Sequence, residues 1–162
     1  MLTIHTDGSS RPATTKAAGW AFAVNVKDKI IVRYGHIPPP STNNVAELMA
    51  LLVPLRELSK ATIPVPLHFI TDSQYVQKGI MERMKDWKFR GWKTNSGSKV
   101  KNIELWKEIY LLWNPKLHTV SWVRGHNGDA GNELVDIWAN AGSDNKHESI
   151  ETEGLIVRRA NG

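Results

Sequence analysis

The sequence predicts an α/β protein, a mixed five-stranded sheet flanked by helices, with a basic helical protrusion. Three strand-like runs come first, two more alternate with helical segments, and no repeat or low-complexity linker interrupts that order. With 162 residues, 41% of them hydrophobic, the chain is long enough to bury one core and short for two.

Residues 2–6 alternate apolar and polar and end at Asp7-Gly8-Ser9, a strand running into a turn with Asp7 at its end. Two β-rich runs, 20–26 and 29–35, flank Lys27-Asp28 as a hairpin, and Pro38-Pro39-Pro40 closes the segment. From 42 to 60, Val45, Leu48, Leu52, Leu55 and Leu58 recur at helical spacing, but Pro54 should kink that helix or end it early. Residues 67–71 form a fourth strand ending at Asp72-Ser73, good caps for a helix from Gln74. Residues 78–101 continue this helical region. A helix over 102–113 and a strand over 117–123 follow. A helix over 132–140 then places Leu134, Ile137, Trp138 and Ala141 on its apolar side. The domain is expected to span 1–142. The tail, 143–162, turns polar and is expected to be partly disordered, with Leu155-Ile156-Val157 available to dock. If strand 67–71 lies parallel beside strand 2–6, Asp7 and Asp72 meet at their C-terminal ends, where open α/β sheets bind ligands.

Lys and Arg number 21 against 16 Asp and Glu, a formal +5 with an isoelectric point near 9.5. The excess is local. Residues 78–101 hold Lys78, Arg83, Lys85, Lys88, Arg90, Lys93, Lys99 and Lys101 against Glu82 and Asp86, a net +6, so the rest of the chain is at −1. Trp87, Phe89 and Trp92 interleave with these charges, a pattern that suits a nucleic-acid backbone and equally a solvated helix with aromatic anchors. Cysteine is absent, which excludes disulfides and thiolate zinc sites, and the six His do not cluster. No apolar run approaches the roughly 20 residues a membrane helix needs, so a soluble, cytoplasmic protein is expected, and nothing in the sequence calls for more than a monomer.

Four carboxylates stand out, each with an innocent alternative. Asp7 could stabilise a turn and Asp72 could be a helix N-cap. Glu47 completes Asn44-Val45-Ala46-Glu47, a capping box, and Asp136 shares a polar face with Asn132, Glu133 and Asn140. Their placement on two strand ends and two helices nevertheless lets them converge at one rim, where mutual repulsion would demand cations. Oxygen-only ligands select hard ions such as Mg²⁺ or Mn²⁺ over zinc. Two such ions roughly 3.5–4 Å apart suit in-line displacement at a phosphodiester.

These residues fall in motifs that resemble type 1 ribonuclease H. The motifs are Thr6-Asp7-Gly8-Ser9, then Thr42-Asn43-Asn44 with Glu47-Leu48-Met49-Ala50, then Thr71-Asp72-Ser73-Gln74-Tyr75-Val76. Trp87-Lys88, Arg90-Gly91-Trp92-Lys93-Thr94 and Val100-Lys101-Asn102 resemble the family's basic protrusion. Trp122-Val123-Arg124-Gly125-His126 with Asn132-Glu133 and Asp136 resembles its last catalytic segment. The resemblance implies a ribonuclease H-like fold and hydrolysis of the RNA strand of RNA/DNA hybrids, leaving 5′-phosphate and 3′-hydroxyl ends. It implies two Mg²⁺ ions, with Mn²⁺ as a substitute. Asp7 would bridge them, Asp136 would join it on the nucleophile side, and Glu47 and Asp72 would serve the leaving-group side. His126, in a loop with Gly125, Gly128 and Gly131, would transfer protons or assist product release.

The resemblance also implies substrate contacts. Asn43, Asn44 and Gln74 would contact the groove and the ribose 2′-hydroxyl, which only the RNA strand offers. Helix capping is an equal and compatible role for the two asparagines. Thr42 and Asn102 would hold a DNA-strand phosphate, Trp87 would pack on deoxyribose, and Lys88, Lys93, Lys99 and Lys101 would grip the backbone. The chain departs from the family in the loop 10–19, which lacks the usual Asn-Pro-Gly, and at Arg83, where a tryptophan is common. A non-catalytic hybrid-binding module of this fold and a related polynucleotidyl transferase are the alternatives.

Overall fold

The computed structural model describes residues 1–160. Its strands are β1 (Leu2–Ser10), β2 (Ala18–Val26), β3 (Lys29–Ile37), β4 (Leu67–Thr71), β5 (Thr119–Trp122), β6 (Ile150–Glu151) and β7 (Leu155–Arg159). The helices are α1 (Asn43–Leu58), α2 (Gln74–Lys78), α3 (Met84–Phe89), α4 (Ile103–Leu112) and α5 (Ala130–Ser143), with a π-helical turn, Gly79–Arg83, joining α2 to α3. Among the described residues no helix is long and apolar enough to cross a membrane.

The strands form one mixed sheet in the order β5-β4-β1-β2-β3-β7-β6. β1 and β4 are parallel, with Thr6 opposite Thr71, so Asp7 and Asp72 follow the last parallel pair side by side. β4 ends there, whereas β1 runs on to Ser10 along β2, which puts Asp7 inside the strand opposite Ala21 and not in the expected turn. β2 and β3 complete an antiparallel meander beside β1.

The sheet has seven strands, not the five expected, because the tail adds β6 and β7. β7 runs parallel to β3, pairing Ile30 with Leu155 through Tyr34 with Arg159, and Val157 is fully buried. Without β7 the β3 edge would present a row of unpaired backbone groups over Ile30 to Tyr34. Asn161 and Gly162, the end of the tail, lie outside the described residues.

Two cores sandwich the sheet. Leu48, Leu51, Leu52 and Leu55 of α1 meet Ile4, Phe69 and Trp106 on one face, while Val135 and Trp138 of α5 meet Val32, Tyr34 and Val157 on the other. This packing resolves the conflict at Pro54. α1 continues unbroken to Leu58 with Pro54 buried inside it. An interior proline costs about 3 kcal/mol, whereas each fully buried leucine contributes about 1.5–3 kcal/mol, so the four leucines outweigh it.

Candidate active site

Asp7 is 3% exposed and Glu47 is 4% exposed, depths at which unpaired carboxylates are rarely found. The cap of α1 explains how Glu47 comes to lie there. Thr42, not Asn44, caps the helix, its Oγ1 accepting from the Val45 N–H at 3.2 Å. The expected capping box is therefore not formed, and Glu47, more than a turn into the helix, faces the sheet. α1 can approach β1 only because residue 8 is glycine, since a Cβ there would collide with the Glu47 and Ala46 backbone. Ser73 caps α2 by accepting from the Val76 N–H at 3.1 Å, so Asp72 is not consumed as a cap.

One carboxylate oxygen from each of Asp7, Glu47 and Asp72 lies within 4.8 Å of the others. Asp136, half-buried on α5, lies outside this close group of three but near enough to Asp7 to help push its carboxyl up. Four elements thus deliver four carboxylates to one rim. Burial first, then the neighbouring Glu47, Asp72 and Asp136, pushes the Asp7 carboxyl far above the ordinary carboxylate range. Burial and then Asp72 push Glu47 upward too, opposed by the Gly8 N–H, which also donates to Asp7 Oδ1 at 2.9 Å. Glu47 Oε1 is buried with no hydrogen-bond partner. An orphaned carboxylate oxygen facing other carboxylates, with no nitrogen or sulfur donor in the group, fits a hard divalent cation.

These shifts set a pH dependence for the metal-free protein. Asp7 and Glu47 hold protons in the folded state that the unfolded chain, with carboxylates near 4, releases. Folded pKa values above unfolded ones contribute stability in acid that is lost as pH rises. The melting temperature without divalent metal should therefore fall from about pH 5 to pH 8, and adding Mg²⁺ at pH 8 should recover it. A flat, metal-insensitive profile in calorimetry would contradict this.

His126 is exposed and its backbone is left-handed, φ 57°, in a turn with Gly128 at φ 81°. The loop starts beside the cluster, where a Cβ on Gly125 would stand 2.8 Å from Asp72 Oδ2, and ends where Asp129 caps α5, accepting from the Asn132 N–H at 2.8 Å. Sequence reasoning named Gly125 only as a loop residue and did not see that it packs on Asp72.

Thr42, Asn43, Asn44 and Gln74 are exposed at the starts of α1 and α2, the two elements adjoining Glu47 and Asp72. Asn102 adopts φ 58° and donates to the Tyr75 hydroxyl at 3.1 Å, which also accepts from Trp106 Nε1 at 2.9 Å. Lys88, Lys93, Lys99 and Lys101 are exposed, with Lys93 and Lys99 paired across a short antiparallel bridge. Trp87 is half-buried, packed edge-on against Trp106 with centroids 5.2 Å apart. With Arg83 and Arg90 it lines a pocket of about 490 Å³. Phe89 is 89% exposed, whereas Trp92 is buried.

Fold and carboxylate rim together define a ribonuclease H-like α/β protein. Residues 1–144 match the RNase H family. The chain is 41% identical to the ribonuclease H of Cupriavidus metallidurans, over 87% of this chain and 94% of that protein. It is 40% identical to the ribonuclease H of Stutzerimonas stutzeri, over 86% and 89%. Among solved structures it resembles a type 1 RNase H with the type 2 active-site motif (TM-score 0.76, 26% identity, 97% of this chain and 76% of that one). It also resembles the PFV RNase H domain in solution (TM-score 0.70, 28% identity, 90% and 96%). The chain belongs to the ribonuclease H family and is an enzyme of the hydrolase class.

Proposed function

We propose that this chain hydrolyses the RNA strand of RNA/DNA hybrids at the four-carboxylate rim, using two Mg²⁺ ions, for which Mn²⁺ can substitute, and leaving 5′-phosphate and 3′-hydroxyl ends. The observation that carries the reading is the convergence of Asp7, Glu47, Asp72 and Asp136, including a buried Glu47 oxygen without a partner. When bound, divalent cations would supply Lewis-acid activation of water and stabilisation of the leaving oxygen.

The chain's own residues divide the remaining work. Asp7, beside both Glu47 and Asp136, would be shared by the two ions, with Asp136 joining it on the nucleophile side and Glu47 and Asp72 serving the leaving-group side. His126, exposed on its glycine-flanked turn, moves a proton or releases product. Asn43, Asn44 and Gln74 offer amides that both donate and accept, suited to a 2′-hydroxyl beside the cleaved bond. Thr42 and Asn102 hold a DNA phosphate, and Trp87 packs on deoxyribose. The catalytic domain on this reading is 1–142, with 78–101 as the grip and the tail extending its sheet.

The grip has its own test. Replacing Lys88, Lys99 and Lys101 together should weaken hybrid binding and flatten the log-log salt dependence by about 0.9 per lost phosphate contact, the value for B-DNA. An unchanged slope in a titration over salt would remove these lysines from the footprint. The activity itself is tested by incubating RNA/DNA, RNA/RNA and DNA/DNA duplexes with Mg²⁺ under substrate excess. Multiple turnover on the hybrid alone is expected. Stoichiometric binding without cutting would favour the non-catalytic module, and strand-joined products would favour the transferase.

A further inference from the structure

We propose that Arg11, with Ser9, Asn140 and Asp144, is a positioning clamp that sets the separation of Asp7 and Asp136 and thereby the metal affinity of the rim. The inference rests on the reading of Asp7 and Asp136 as metal ligands. Beyond the His5–Asp129 pair at 3.5 Å, which joins β1 to the N-cap of α5, three polar rungs link β1 and the adjoining Arg11 to α5 and its C-cap Asp144. The first is the Asp7–Asp136 pair itself. In the second, Ser9 Oγ donates to Asn140 Oδ1 at 2.5 Å. In the third, Arg11 makes a two-pronged ion pair with Asp144, Nε to Oδ1 at 2.9 Å and Nη2 to Oδ2 at 3.1 Å. The spare Nη1 of Arg11 ties the third rung to the second, donating to Ser9 Oγ at 3.0 Å and Asn140 Oδ1 at 3.2 Å.

The rungs match because two periodicities nearly coincide. Steps of two residues along a strand advance about 6.6 Å, and steps of four along a helix advance about 6.0 Å. Residues 7, 9 and 11 therefore stay level with residues 136, 140 and 144. The upper rungs hold β1 and α5 in register one strand step and one helix turn beyond Asp7 and Asp136. A planar guanidinium held at both prongs resists sliding and twisting, which a single ammonium cannot. Glycine or alanine at position 11 would remove the third rung and the tie from Arg11 to the Ser9–Asn140 bond.

The test is calorimetric titration of the free protein with Mg²⁺, beside hybrid binding measured without metal. Arg11→Met and Asp144→Asn should each weaken Mg²⁺ binding by about tenfold, the lower end for partners that orient metal ligands, while metal-free hybrid binding changes less than about twofold. Arg11→Lys, which keeps the charge and loses the fork, should fall between wild type and Arg11→Met. If Arg11→Met does not fold, the exposed Asp144→Asn carries the same expectation. Wild-type Mg²⁺ affinity in Asp144→Asn overturns the clamp. Wild-type affinity in Asp136→Asn would instead overturn the ligand assignment beneath it, so the two failures are separable.

Discussion

Asp7→Asn should lower hybrid cleavage by about a thousandfold or more and, at the same time, stabilise the metal-free protein. On the proposed bridging role, losing this carboxylate would remove several kcal/mol of charge stabilisation at the reacting phosphate, and each 1.36 kcal/mol is a factor of ten. Stability moves the other way because Asp7 is 3% exposed and pressed against Glu47, Asp72 and Asp136. Asn keeps the volume and the acceptor for the Gly8 N–H but needs no proton to remain neutral. Removing the cost of taking up that proton on folding should be worth about 1–3 kcal/mol near pH 8. The variant should also lose much of the acid-side stabilisation expected of the wild type, leaving a flatter melting profile. Wild-type cleavage rates in Asp7→Asn would remove its bridging role, and a variant less stable than wild type at pH 8 would contradict the electrostatic account.

Gly8→Ala should unfold the protein at markedly lower temperature and disable what remains folded. A Cβ at residue 8 meets the Glu47 nitrogen and the Ala46 backbone, and neither can rotate away. Overpacking against backbone belongs at the upper end of its range, about 3 kcal/mol, or roughly 6–12 °C in melting temperature for a chain of this size. Any relaxation lifts α1 from β1 and carries Glu47 away from Asp7, so activity falls beyond the loss of folded protein. Gly125→Ala offers a contrast. Its Cβ would meet only the end of the Asp72 side chain, 2.8 Å away, so stability should hold while the metal site is disturbed. A Gly8→Ala protein melting within about 2 °C of wild type would show that the α1–β1 approach is looser than described.

The asymmetry between what the sequence disclosed and what it hid follows from range. Asp72 was legible because it follows an alternating strand with a turn residue, and Asp7 because parallel pairing of β1 with β4 brings it level with Asp72, although β1 does not turn there but continues to Ser10. The hairpin and the Ser73 cap are likewise local. Glu47 was ambiguous, since Thr42 and Asn44 can each cap a helix; the packing of α1 on β1 decides which does. Pro54 could not be resolved from propensity, because the burial of Leu48, Leu51, Leu52 and Leu55 outweighs it only in the assembled core. β7 was hidden by its brevity, its role lying in the open edge of β3. The Arg11–Asp144 pair joins residues 133 positions apart, and only the spacing of 7, 9 and 11 against 136, 140 and 144 hinted at it.

The central claim is that one carboxylate rim cuts one strand of a hybrid. Its most direct test is a single RNA/DNA hybrid with each strand separately labelled, incubated with Mg²⁺ and either wild type or Asp7→Asn, with the product ends identified. Wild type should cut RNA alone, leaving 5′-phosphate and 3′-hydroxyl ends, and Asp7→Asn should leave both strands intact on the same timescale. Cleavage of the DNA strand, 3′-phosphate ends, or equal cutting by Asp7→Asn would contradict that claim.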